Sequence, residues 1–147
     1  MTVKASEEVA VVGAIDPDAN TAAAYVSDYG SAVEFQSFMA IIQAGTLGSS
    51  ATLDAKLTQA TTSAGAGAKD VSGKSITQLT QAGTDSDKQA VITCKDSDLD
   101  VANGFDWVAI TMTVATATSD CGAVLLGLHP RHGTASDNDV SSVDEIV

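Results

Sequence analysis

Gly73-Lys74-Ser75 is the motif in this sequence that most resembles a phosphate-binding loop. Such a loop needs a second glycine five residues before the Gly of the GKS triplet, and Ala68 stands there, with Gly67 one residue too early. It also needs a following helix whose N-terminus holds the phosphate. Residues 76–80 instead have the pattern of a strand, so the sequence argues against nucleotide binding.

Two clusters of aspartate, at 16–20 and 96–100, resemble the start of a calcium loop. An EF-hand also requires Gly at its sixth position and Glu at its twelfth. The first cluster offers Thr21 and Ser27 there, and the second offers Val101 and Trp107. Neither is an EF-hand, and we interpret both as solvated turns, with a looser calcium site in a β-loop as the open alternative.

His129 and His132 are the two histidines, and Cys94 and Cys121 are the two cysteines. Zinc binds three or four imidazole or thiolate ligands, but both cysteines fall in apolar strand-like runs. They are therefore expected to be buried reduced thiols, although spacing alone leaves a disulfide open. A Ser-His-Asp triad requires a geometry that sequence cannot supply.

Trp107 has the opposite parity to the apolar residue Val108, so in a strand its side chain could lie on the outer face. It is either an exposed stacking platform for a sugar or, as is commoner for a lone Trp, part of the core. With these motifs weighed, the sequence predicts no enzyme, no catalytic residue, no cofactor and no metal ligand.

The composition narrows the function further. The chain has 147 residues, enough for one domain, and 19 acidic against 7 basic residues give a net charge of −12. This charge argues against nucleic acid and against anionic membranes as partners, because both bind clustered Lys and Arg. No apolar run reaches the ~20 residues that span a bilayer, and 1–8 lack the apolar core of a signal peptide. The protein is thus predicted to be made and used in the cytosol, or to leave the cell in a particle by lysis.

Residues 51–58 give the clearest structural signal. Ala51, Leu53, Ala55 and Leu57 alternate with Thr52, Asp54, Lys56 and Thr58, as in a strand with one buried and one wet face. The apolar run 33–44 before it ends in a Gly-rich turn, so the two are predicted to form a hairpin. Further strands are predicted at 9–15, 22–28, 74–81, 88–94, 105–115 and 123–128.

About eight strands without a helix predict an all-β fold: a single-domain antiparallel β-sandwich, jelly-roll-like. The alternative is an immunoglobulin-type sandwich, for which the 26 residues between the two cysteines are too few. We expect residues 1–15 to form an extended arm or edge strand, 16–132 the sandwich, and 133–147 an acidic polar tail.

An ordered series of segments resembles a known family. The segments are 44–61, 65–74, 76–80 and 124–131, the last closing in Gly127-Leu128-His129-Pro130-Arg131. Over roughly residues 20–135 they are similar to small virion structural proteins encoded in the head-gene modules of tailed bacteriophages and prophages. The resemblance supplies no site residues.

This resemblance implies a capsid decoration (cement) protein on the outer surface of the virion capsid. Its partner would be the major capsid protein, with self-association, for example as a trimer. Two alternatives remain open: a carbohydrate-binding jelly-roll module that uses Trp107 and loop carboxylates, and a neck, tail or fibre component of the virion. The polar face of 51–58 then either meets solvent, as we favour, or a neighbouring subunit.

Overall fold

The computed structural model describes residues 2–147. It contains one short helix, ten strands and three 3-10 helices at Asp96–Asp98, Val101–Asn103 and Ala135–Asn138. The helix is α1 (Ala5–Glu8), and the strands are β1 (Val9–Asn20), β2 (Ala23–Val26), β3 (Gly30–Ser31), β4 (Phe35–Ala44), β5 (Thr52–Ala60), β6 (Lys69–Ser75), β7 (Leu79–Thr80), β8 (Gln89–Lys95), β9 (Trp107–Ala115) and β10 (Ser119–Pro130). No helix of this part of the chain is both long and apolar enough to cross a membrane.

The strands form two antiparallel sheets. The first sheet has the order β1-β10-β4-β8, and the second has the order β2-β9-β5-β6, with β3 paired to β9 and β7 paired to β5. When the two short strands β3 and β7 are set aside, eight main strands remain, and their order is that of a jelly roll, two Greek keys wound together. The predicted all-β, jelly-roll-like sandwich is confirmed, and the immunoglobulin-type alternative is wrong.

The core lies between the sheets and follows the alternation along each strand. From β9, the inward residues are Val108, Ile110, Met112 and Val114, all at most 2% exposed. From β5, Leu53 and Leu57 are fully buried, as their parity predicted. The first sheet contributes Phe38, Ala40 and Ile42 from β4 and Leu125 from β10.

The predicted hairpin of 33–44 with 51–58 is wrong, because the two segments lie in different sheets. β4 pairs with β10 and β8, whereas β5 pairs with β9, β6 and β7. The connection crosses from one sheet to the other, with Gly48 so close to β10 that a Cβ there would lie 2.4 Å from the Thr118 carbonyl oxygen. A Gly-rich turn between two apolar strands is equally compatible with a hairpin and with such a corner.

Several predicted boundaries also move. β1 is an edge strand, as expected, but it continues through the Asp16-Pro17 pair to Asn20, with its register shifted between Ile15 and Asp18. The strand predicted at 74–81 is replaced by two strands, Lys69–Ser75 and Leu79–Thr80. The prediction of no helix missed α1, which is only four residues long.

The C-terminal segment packs against the open edge of β1 rather than extending freely. Ala135 is completely buried in the core cluster. The Val11 N–H donates to the Asp139 carboxylate at 2.8 Å, and the Val140 N–H donates to the Val11 carbonyl at 2.8 Å. These bonds satisfy backbone groups that an edge strand would otherwise leave open to pairing with another chain.

Candidate docking surface

The outer face of the first sheet carries an apolar patch at its centre, flanked by polar residues along the strands. One row of paired residues crosses the four strands, and a second row lies beside it. The first row is Ala14, Val124, Ile41 and Val91, and the second is Val11, Leu126, Met39 and, on β8, the polar residue Thr93. The apolar side chains are half-buried, except that Val91 at the sheet edge is 57% exposed. They form a continuous apolar surface that nothing else in residues 2–147 covers completely.

This surface exists because β4 and β10 are apolar at both parities. In β10, Leu125 faces the core, while Val124 and Leu126 point outward. In β4, Ile42 is fully buried, while its neighbour Ile41 lies on the outer face. A sheet with one wet face normally alternates apolar and polar residues, and near-continuous apolar strands are typical of sheets covered on both faces. The pattern is thus typical of a sheet whose two faces are both covered.

At one end, the outer face opens into a groove of about 730 Å³. Ile41, Val124 and Gly122 form the apolar part of its floor, and the bulged turn of β1 at Pro17 forms one wall. The amides of Gln43 and Gln89, bonded to each other at 3.2 Å, also line it. Gly122 allows this wall to approach, because a Cβ there would lie 2.8 Å from the Pro17 Cα. The groove is therefore built by the close packing of β1 on β10.

The rim of this groove is acidic. Asp18, Asp87 and Asp120 line it, and its lining residues include no Lys or Arg. All three carboxylates belong to exposed residues. The groove therefore combines an apolar floor with negative charge that no lining cation neutralises.

Most of the basic residues lie in ion pairs outside this groove. Five of the seven are within 4 Å of a carboxylate. The pairs are Lys56–Asp70, Lys69–Asp100, Lys74–Asp98, Lys88–Asp85 and Arg131–Asp96. Lys95 lies on the outer face of the first sheet at the end far from the groove, paired with Ser37. The charge across this face is thus uneven, negative at the groove end.

The loop next to the groove shows how one nearby acid is stabilised. The Asp85 carboxylate accepts a hydrogen bond from the Thr80 N–H at 3.0 Å and an ion pair from Lys88 at 2.9 Å. The Thr80 N–H first, and then Lys88, lower the pKa of Asp85. Lys88 is thereby engaged with Asp85 rather than with the groove acid Asp87.

The outer face of the second sheet, by contrast, carries polar residues that bond to one another along β5. Thr58 and Thr111 approach each other at 3.2 Å between their hydroxyl oxygens, and Lys56 pairs with Asp70 at 2.8 Å. Asp54 accepts a hydrogen bond from the Gln78 amide at 2.7 Å. Asp54, Lys56 and Thr58 are thus bonded within the chain.

Trp107 lies on the outer side of the second sheet, as its parity predicted, but it is half-buried rather than an open platform. It lines a second groove, of about 570 Å³, together with Tyr29. Carboxylates of Asp28, Glu34 and Asp106 line the same groove. Sequence analysis missed Tyr29, which lies far from Trp107 along the chain.

The aspartate cluster at 96–100 forms a 3-10 turn held by lysines. The Lys95 N–H and then Lys74 lower the pKa of Asp98, and Lys69 and then Asn103 lower that of Asp100. The 16–20 cluster lies in β1. Within residues 2–147, no group of three or more His, Cys, Asp or Glu is arranged to hold a metal ion.

The remaining motifs are dispersed. Gly73-Lys74-Ser75 lies in β6, not before a helix, and Gly73 adopts a positive φ of 74° at an irregularity of that strand. His129 and His132 are exposed near the end of β10. Both cysteines are buried and unpaired, as expected, and burial raises the pKa of Cys94 to about 11.

Sequence analysis missed the outer face of the first sheet. The signal was present, since 39–42 and 123–126 contain no polar residue at either parity. Two apolar faces on the same strands were the sign that a partner surface should be sought.

No protein-family description and no curated protein matches this chain. Among solved structures, it is similar to a chain of Broad Bean Stain Virus, with 14% identity over 80% of this chain and a TM-score of 0.42. The chain spans 62% of the length of that viral chain.

A chain of a Cowpea Mosaic Virus empty virus-like particle gives 11% identity over 92% of this chain and 87% of that one, with a TM-score of 0.47. A Bacillus endospore appendage protein that forms disulfide-linked pili gives 14% identity over 88% of this chain and 98% of that one, with a TM-score of 0.32. Likenesses as low as these carry no argument about function. The class that the coordinates define is the jelly-roll β-sandwich.

Proposed function

We propose that this chain is a structural protein of a bacteriophage virion, a capsid decoration (cement) protein that binds the outer surface of the major capsid shell and stabilises it. The observation that carries the proposal is the apolar outer face of the first sheet. Exposed apolar surface of this kind marks a site of protein contact. The sequence resemblance to head-gene proteins supplies the identity of the partner, the major capsid protein.

The rest of the molecule suits that role. A cement protein is present in many copies and must stay dispersed before it reaches the shell, which a net charge of −12 favours. The compact sandwich, with its C-terminal segment fixed along β1, provides a rigid support for the contact face. Self-association, for example as a trimer, would use surfaces outside the first sheet's outer face.

The test is the copy number of the protein in purified particles, measured by quantitative mass spectrometry. We expect the protein to sediment with the particles at a copy number of the same order as the major capsid protein. A few copies in each particle would favour the neck, tail or fibre alternative. Its absence from particles would refute a virion role.

A second candidate function is carbohydrate binding, which the Trp107 groove specifically favours. An aromatic pair beside carboxylates offers a stacking surface and hydrogen-bond acceptors for a sugar. Glycan-array binding by the wild-type protein, lost in Trp107→Ala and retained in Val26→Asn on the same sheet, would support it. Failure of the wild-type protein to bind any glycan would eliminate it.

A further inference from the structure

We infer that the outer face of the first sheet binds a partner segment that combines apolar side chains with Lys or Arg, the basic residues docking at the acidic groove. The inference rests on the proposed function for the identity of the partner but not for its chemistry. The chemistry follows from the apolar rows and from the charge distribution at their end.

The apolar rows define the shape of the occupant. Ala14, Val124, Ile41 and Val91 lie on neighbouring strands, so their side chains form one strip across the sheet. Directly opposed residues on paired strands have Cβ atoms about 4.5–5.5 Å apart. A flat or extended segment with several apolar side chains is therefore needed to cover the strip.

The groove defines the charge of the occupant. Asp18, Asp87 and Asp120 surround its apolar floor, and no Lys or Arg lies among the lining residues. Cover by a neutral or acidic segment would desolvate these carboxylates or bring like charges together without compensation. Basic side chains at that end of the segment would remove this penalty by pairing with the three acids.

The same distribution argues against a second copy of this chain as the occupant. Two copies joined face to face about a two-fold axis could set the groove of one copy over the far end of the other, but that end of the face offers one cation, Lys95, to the three groove acids. Both copies would also carry a charge of −12. Five of the seven basic residues already pair within the chain. A basic surface from a different protein is the complementary occupant.

The first experiment uses shells of the encoding virus purified without this protein, with binding measured by co-sedimentation. Val91→Asn places a polar amide in the apolar rows. Its control is Val26→Asn on a strand of the second sheet, because the two valines have nearly the same exposure, 57% for Val91 and 55% for Val26. We expect at least about tenfold weaker binding for Val91→Asn, because burying an unpaired amide is unfavourable, and less than about twofold change for the control.

The second experiment changes charge. Asp18→Asn with Asp120→Asn removes two acids from the groove, and Asp144→Asn with Glu145→Gln removes the same charge from the exposed C-terminal end. Each exposed ion pair between a groove acid and a basic residue of the partner changes the affinity by roughly threefold. The groove variant should therefore bind about tenfold more weakly, and its affinity should depend less on salt concentration. The tail variant should behave like the wild-type protein.

These outcomes separate the inference from the proposed function. If the wild-type protein does not bind shells, the proposed function fails. If it binds but the groove variant and the tail variant bind equally, or the groove variant binds more tightly, the inference fails. A concentration-dependent dimer that Val91→Asn abolishes would also overturn it, since the occupant would be a second copy.

A probe peptide tests the chemistry without the shell. We expect a short peptide that alternates lysine and valine to shift the NMR amide signals of Gly45, Gly122 and Val124. A peptide that alternates glutamate and valine should leave them unchanged. Equal shifts with both peptides, or shifts confined to the second sheet, would refute the inference whatever the shell experiment shows.

Discussion

Leu125 and Leu126 are neighbours in β10 that face opposite sides of the first sheet, and the two alanine substitutions should therefore differ. Leu125 is fully buried, and Leu125→Ala removes three carbon groups worth about 0.8 kcal/mol each in transfer free energy. The cavity left behind raises the loss to about 3–4 kcal/mol in the free energy of unfolding. For a domain of this size, the melting temperature falls by about 6–16 °C.

Leu126 lies half-buried on the outer face beside Val11 and Met39. Water fills the space that Leu126→Ala opens, so no closed cavity forms, and the expected loss is about 1 kcal/mol or less. Urea unfolding followed by Trp107 fluorescence measures both variants, with the slope of free energy against urea expected to stay constant.

The pair also tests the register of β10. A one-residue slip in a strand exchanges its two faces, so equal losses, or a larger loss for Leu126→Ala, would refute the assignment of inner and outer faces. The same exchange would place the apolar rows inside the molecule. The two leucines thus check the proposed docking surface before any partner is available.

Three further predictions follow from single contacts. Gly127→Ala should lower the free energy of unfolding by about 1–3 kcal/mol, because the new Cβ would lie 2.7 Å from the Phe35 ring. Adding Phe35→Leu to Gly127→Ala should recover part of that loss, as measured by urea unfolding. The pKa of Asp85 is lowered in the folded state, so this carboxylate contributes to stability above its unfolded pKa of about 3.9. That contribution disappears as the pH falls through the folded value. The melting temperature measured from pH 7 to pH 2 should therefore fall less steeply in Asp85→Asn than in the wild-type protein. Cys94 is buried and its pKa is raised to about 11, so it should react slowly with a thiol reagent at pH 8 in the native protein and rapidly in urea. Rapid labelling of Cys94 in the native protein would contradict its burial.

Alternation along single strands allowed much of the fold to be predicted. The parity of 51–58 identified Leu53 and Leu57 as inward, and both are fully buried. Alternation reports which residues share a face, but not which strand lies alongside. This is why the corner at 45–51 was mistaken for a hairpin.

The candidate site was less accessible to sequence reasoning. The outer face of the first sheet depends on the register between β4 and β10, which brings Ile41 beside Val124 across a long stretch of chain. The groove acids Asp18 and Asp120 come from opposite ends of the sequence and meet only because β1 pairs with β10. The local sequence shows that 39–42 and 123–126 are apolar at both parities, but not which residues long-range pairing brings together.

The fixed C-terminal segment has a consequence for the connectivity of the chain. α1 contacts the 3-10 helix Ala135–Asn138, and Val140 bonds to Val11, so the two ends of the sandwich are joined in space. A linker that joins the chain after Val140 to α1 would therefore close the sandwich into a ring. New ends opened in the exposed turn at 61–66, between β5 and β6, would cut no strand. The sandwich is therefore suited to circular permutation, which would move both termini to the β5–β6 turn and leave every ladder intact.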